Sequence, residues 1–165
     1  GCETMDEAFD GKDEKNKIEF VLTVHEMVDY PTGASNIEKE VPSFTGRTVV
    51  INALPALTSR NIEAAKAVEI PTKKGFFDMM LKLDRQGKII WISLTQDVKM
   101  KRFGLLVDGV FYRTFDGGQL DIGSQQDAVF LKGPFDQITA TGIEKNAKKN
   151  FKHFQKGVSL DKIFN

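Results

Sequence analysis

Two histidines, one cysteine and scattered carboxylates are the side chains of this 165-residue chain best suited to act as ligands, bases or nucleophiles. His25-Glu26-x-x-Asp29 has the spacing that, on a helix, gathers zinc ligands on one face. The neighbouring residues favour a strand, which sends His25 and Glu26 to opposite faces, and Pro31 follows closely. The ordinary reading, surface residues of a strand, prevails. His153 stands among Lys148, Lys149, Lys152 and Lys156, with no nucleophile near it in sequence. Cys2 lies in a polar stretch that offers no fixed base to activate a thiol. The run from Asp116 to Asp121 lacks the alternating oxygen ligands and distal Glu of a calcium loop. Gly117-Gly118 is not followed by the Lys-Ser/Thr of a phosphate loop. No catalytic constellation, metal or cofactor is expected.

Two surfaces could instead carry binding. Trp91, Phe76, Phe77, Phe103, Phe111 and Tyr112 fall mostly at core positions of their elements. In Phe111-Tyr112-Arg113, however, adjacent strand residues face opposite sides. One of the two aromatic rings must leave the core unless a second layer covers it. The second surface is a stripe of Lys145, Lys148, Lys149, Lys152 and Lys156, opposite the apolar Ile143, Ala147 and Phe151. Such a stripe is ordinarily a solvated helix face; an anionic membrane or an acidic partner would also fit it.

These side chains must be positioned by a chain of 41% hydrophobic and 28% charged residues, long enough for one domain burying roughly 70% of its unfolded surface. A lone cysteine excludes an internal disulfide and a cysteine-based zinc site. The balance of 23 Lys+Arg against 23 Asp+Glu excludes a general nucleic-acid binder. No apolar run approaches the ~20 residues of a membrane helix. Six acids and one base lie between Glu3 and Glu14, so residues 1–17 read as a polar tether preceding a single domain over 18–165. As a coil, the tether spans on the order of 20 Å.

Strands are expected at Ile18–Val28 and Thr48–Leu54, with Ile37–Phe44 extended and peripheral because Pro42 removes a ladder donor. Asn61–Ala67 has helical propensity, limited by Pro71 to one or two turns that feed a strand through Val68–Ile70. Lys73-Lys74-Gly75 reads as a turn before a strand over Phe76–Leu83. Asp84 caps a helix over Arg85–Thr95 whose inner face is Gly87, Ile90, Trp91 and Leu94. Arg102–Val107 and Val110–Phe115 flank Asp108-Gly109, a type I′ hairpin signal. A last strand, Ala128–Lys132, leads to a helix entered through Phe135 and ended by Gly157. The expected fold class is α+β: an antiparallel sheet with helices packed on one face, an elaborated ferredoxin-like sandwich.

Two resemblances add expectations. Cys2 at the head of a polar tether resembles the mature start of a bacterial lipoprotein, where such a cysteine carries the lipid. Pro55–Ala65, Leu83–Lys88 with Leu94-Thr95, and Arg102–Val110 occur in an order similar to segments of the SecD/SecDF protein-export family. In particular, Arg102-Phe103-Gly104-Leu105-Leu106-Val107-Asp108-Gly109-Val110 resembles that family's Lys-Arg-Leu-Ala-Ile-Val-Leu-Asp-Gly-Lys-Val hairpin. Lys132-Gly133-Pro134-Phe135 is placed like its Gly-x-Phe approach to a final helix. The resemblance covers about residues 46–155 and implies the family's first periplasmic domain. It departs where Gly118 onward lacks an Ile-x-Gly-Gly run and where Phe111-Tyr112-Arg113 replaces small residues. Together the resemblances imply a non-enzymatic, lipid-anchored protein of the bacterial cell envelope, facing the periplasm or exterior and binding a protein or polypeptide. The alternative is an enzyme or small-molecule binder with a site assembled from Asp, Glu, Lys and Arg remote in sequence.

Overall fold

The computed structural model describes residues 17–34, 36–96, 102–116, 120–122 and 128–164. Cys2, with the rest of the tether's residues 1–16, and most of the Gly-rich stretch (117–119 and 123–127) lie outside these residues. The described chain runs β1 (Leu22–Glu26), β2 (Glu38–Pro42), β3 (Thr48–Asn52), β4 (Leu57–Thr58), a 3-10 turn (Ser59–Asn61), β5 (Ile62–Ile70) and β6 (Lys73–Leu83). It continues through α1 (Arg85–Gln96), β7 (Arg102–Val107), β8 (Val110–Asp116), β9 (Leu120–Ile122), β10 (Ala128–Asp136) and α2 (Gln137–Phe164).

The class is α+β with antiparallel strand pairing, and the strands divide among three sheets rather than one. A first sheet has the order β4-β1-β7-β8, a second β5-β6-β10-β9, and β2-β3 form a separate hairpin. Alternation explains the division. On β7, Phe103, Leu105 and Val107 enter the main core with Leu22, Val24 and Phe115, while Leu106 turns the other way. There it meets Val41 and Ile51 of the β2-β3 hairpin, together with Met27, Val49 and Phe111. The first sheet thus lies between two apolar layers. The second sheet contributes Met79, Leu81, Leu83, Val129, Leu131 and Phe135 to the main core, against Ile143 and Ala147 of α2.

Local signals hold at several joints. Asp84 is the N-cap of α1: its carboxylate accepts from the backbone N–H of Gly87, the third helical residue, at 2.7 Å, and Trp91 is buried on the inner face of α1. Asp108 (φ 51°) and Gly109 (φ 79°) both take the left-handed conformation that a two-residue β7-β8 turn demands.

Three local expectations are corrected. Asn61–Ala67 is not helical: from Ile62 it is strand β5, which pairs along β6 and turns Ala65 and Ala67 onto the core. The turn before β6 falls at Pro71-Thr72, since Ile70 already pairs with Lys73. The strand therefore absorbs Lys73-Lys74-Gly75. Gly157 does not stop the last helix, which continues to Phe164.

The chain joins the domain through a clamp. Phe20 has φ 53°, a rare conformation for an aromatic residue. Its N–H and that of Val21 donate to the two oxygens of Asp108, at 3.1 and 2.9 Å. The Asn150 side-chain amide, 1% exposed on α2, donates to the Glu19 carbonyl at 2.7 Å. The Phe20 ring lies where a β-carbon on Gly142 would fall, so only glycine leaves that notch in α2 open.

Candidate functional site

β8 ends the first sheet, and its register carries the feature that builds the site. Leu105 pairs with Arg113 but Leu106 pairs with Phe111, so Tyr112 is an inserted bulge residue. The bulge breaks the alternation: Phe111 turns to the hairpin layer, while Tyr112 packs on the main core. The second layer that the sequence left conditional is the β2-β3 hairpin.

Tyr112 stacks on Phe135 with ring centroids 5.3 Å apart, and Phe44 meets Tyr112 edge-on at 5.7 Å. The Arg113 guanidinium lies 5.7 Å from the Phe135 ring and reaches the Pro134 carbonyl at 3.5 Å. These groups surround a hollow of about 540 Å³ lined by Phe111, Tyr112, Arg113, Thr114 and Pro134. Phe44 stands beside it, 63% exposed. The Ser43 bridge engages Phe111 alone; beyond it, no described strand pairs with the outer side of β8. An open strand edge beside an aromatic and cationic hollow can bind an extended chain through its backbone.

The hollow is held rigidly from below. The Tyr112 hydroxyl donates to Asp136 Oδ1 at 2.5 Å and accepts from the Asp136 N–H at 2.9 Å. The other Asp136 oxygen accepts from the Thr139 N–H at 3.0 Å, capping α2. Burial opposes the charge on Asp136, but bonds from Tyr112 and Thr139 outweigh it and hold the carboxyl below its ordinary range. Burial, then the Asp136 bond, pushes the Tyr112 hydroxyl upward. Burial also lowers the Arg113 guanidinium, against the pull of Tyr112 and Asp78. Phe44, Pro134 and Asp136 escaped the sequence reading because their proximity to Tyr112 arises only in three dimensions.

The five lysines do gather. Lys145, Lys148, Lys149, Lys152 and Lys156 line a second hollow, of about 460 Å³, with His153 and Ile18. Among the described residues no acidic side chain lines it. Arg113 and its aromatic neighbours take no part in this hollow, so the sequence-derived surfaces form two sites.

The His25 motif forms no ligand set. His25 is 6% exposed rather than at the surface, because the β2-β3 hairpin covers that face of β1. The Asn52 carbonyl, 2.8 Å away, can only accept, so Nδ1 carries the proton. Burial lowers the His25 pKa despite this bond. Among the described residues no group of three or more His, Cys, Asp or Glu is placed to hold a metal ion, and no helix is long and apolar enough to cross a membrane.

No protein-family model matches the chain, and no curated protein matches it in sequence. Solved structures do. One, described as "Structure and function of a membrane component SecDF that enhances protein export", aligns with a TM-score of 0.55 at 16% identity, over 86% of this chain and 68% of that chain. A SecDF structure in a "Super-membrane-facing form" aligns with a TM-score of 0.55 at 15% identity, again over 86% of this chain but only 20% of that one. The architecture that carries the β8 hollow is thus the fold shared with a segment of SecDF.

Proposed function

We propose that this chain is a non-enzymatic protein of the bacterial cell envelope, anchored by lipid at Cys2, whose domain over residues 18–165 binds an extended protein or polypeptide along the edge of β8. The observation that carries this reading is the open β8 edge beside Phe44, Tyr112, Arg113 and Pro134. Backbone groups on the edge supply affinity without regard to sequence, and the rings and guanidinium supply contacts for side chains. The SecDF likeness supports a role related to protein export. It contributes the fold, and the role is argued from the hollow.

The test uses an unfolded polypeptide, kept from refolding by cysteine alkylation, titrated into the fluorescently labelled full chain. Binding is expected, and Phe44→Ser or Arg113→Glu weakens it by about tenfold, roughly 1.4 kcal/mol. Both residues are partly or largely solvent-facing, and circular dichroism checks that each variant stays folded. Lysine-stripe variants keep the wild-type affinity. Absence of binding, or equal binding by all variants, overturns the polypeptide reading. The anchor is tested separately: mass spectrometry of the protein from native membranes should find lipid on Cys2. An unmodified or missing Cys2 overturns that half alone.

A further inference from the structure

Among the described residues that line the β8 hollow, Arg113 alone is charged. Its guanidinium is held 5.7 Å from the Phe135 ring, on which Tyr112 also stacks. It is poorly satisfied there. A guanidinium carries a planar fork of N–H donors, and the hydrogen bond it makes here is a long one, 3.5 Å to the Pro134 carbonyl. Among the described residues no carboxylate forms an ion pair with it. The carboxylates of this region are engaged elsewhere. Asp78 Oδ1 accepts from the Gly133 N–H at 2.6 Å, and Asp136 spends its two oxygens on Tyr112 and Thr139. Neither lines the hollow. Burial of the guanidinium outweighs the pull of Tyr112 and Asp78, so the wall holds a partly desolvated cation short of a counter-ion.

We infer that the hollow selects extended segments bearing an acidic side chain, whose carboxylate pairs with Arg113 as the segment adds to β8. The inference deepens the polypeptide reading and rests on it. A carboxylate matches the guanidinium fork with two parallel N–H···O bonds. Packing against Phe135 already orients the guanidinium, so little freedom is lost when the pair forms. Directly opposed residues of neighbouring strands place their β-carbons about 5 Å apart, close enough for such a pair. The carboxylate belongs to a side chain rather than to a chain end. The Ser43 bridge engages Phe111, and β8 runs on to Asp116, so a strand added over 112–116 passes Arg113 inside its span. A basic side chain at the same point would meet like charge and be rejected.

Three forms of the alkylated unfolded polypeptide, titrated into the labelled full chain, test the pairing. One is unaltered, one has every Asp and Glu replaced by Asn and Gln, and one is amidated at its C-terminus alone. The neutral form is expected to bind about tenfold more weakly than the unaltered one, and the amidated form to match it. In Arg113→Gln, checked for folding by circular dichroism, the ratio between unaltered and neutral forms should shrink to about twofold or less. In the wild-type chain the Arg113 Nε–H resonance should move with the unaltered form and stay in place with the neutral one, a readout independent of how the variant folds. Equal binding of those two forms overturns the acid selection and leaves the polypeptide reading standing, as does a tenfold ratio that persists in Arg113→Gln or an Nε–H signal that ignores the unaltered form. A comparable loss on amidating the C-terminus overturns it in favour of capture of a chain end. Failure of all three forms to bind overturns the polypeptide reading and this inference with it.

Discussion

Asp136 joins the β8 hollow to the start of α2 with one carboxylate, so its removal acts on both. Asp136→Ala leaves the Thr139 N–H without its cap and strips the Tyr112 hydroxyl of a charged acceptor. A loss of about 1–2 kcal/mol in chemical denaturation is expected. The pH dependence follows from the lowered carboxyl. Its folded value lies below the ordinary 3.8, so the contribution is complete above that value and disappears as pH falls through the folded one. The wild-type and Asp136→Ala stability curves should therefore converge in strong acid, and a constant gap across that range would refute the assignment. Two adjacent aromatics followed by Arg113 already signalled that a strand could not hide both rings on one face. Asp136 gave no such sign, because a cap residue 24 positions away becomes a partner only when β8 and β10 meet. The burial of His25 was hidden similarly: the hairpin that covers it is contributed by residues 38–52.

At the scale of elements, the seam between the chain's attachment and α2 sets propensity against packing. Alanine stabilises a helix interior by about 1 kcal/mol relative to glycine, so Gly142→Ala would strengthen α2 considered alone. In the folded protein its methyl group would fall on the Phe20 ring. Phe20 cannot easily retreat, since Asp108 and Asn150 hold the backbone on either side. We predict that Gly142→Ala destabilises by about 1–3 kcal/mol, and that Phe20→Ala removes most of this penalty in a double-mutant cycle. Additive effects would show that ring and notch do not interact. The same contest explains the one element misread in type. Asn61–Ala67 is rich in Ala, Glu and Lys, yet β6 lies ready to pair with it and α2 packs across its inner face. Small Ala65 and Ala67 suit that close approach better than larger residues would, so tertiary pairing overrides propensity. Where cap, period and turn chemistry agreed, at Asp84–Gln96 and Asp108-Gly109, sequence and structure coincide.

At the scale of the whole molecule, the α+β class and the order of elements were legible because alternation and turns are local. The partition into three sheets was not, since each strand's alternation names two faces without saying what covers the second. That partition has a consequence for cooperativity. The hairpin layer rests on a small cluster of Val41, Ile51 and Leu106, whereas the main core joins both larger sheets to α1 and α2. A layer with so few buried apolar contacts should open at lower free energy than the body beneath it. Native-state hydrogen exchange is expected to show amides of β2 and β3 exchanging through a sub-global opening. Met79, Leu81, Leu131 and Ile143 should exchange only through global unfolding. Ile51→Ala sharpens the test: it deletes a fully buried side chain and should cost the hairpin opening about 2–4 kcal/mol. Because β1 and β7 retain their main-core face, the global exchange of β6 and α2 should fall by less than the hairpin does. Equal losses at every amide would mean that the two layers unfold as one unit. Phe111 belongs to the hairpin cluster while Tyr112 belongs to the core, so an opening of the upper layer would also loosen one wall of the β8 hollow and leave the other standing.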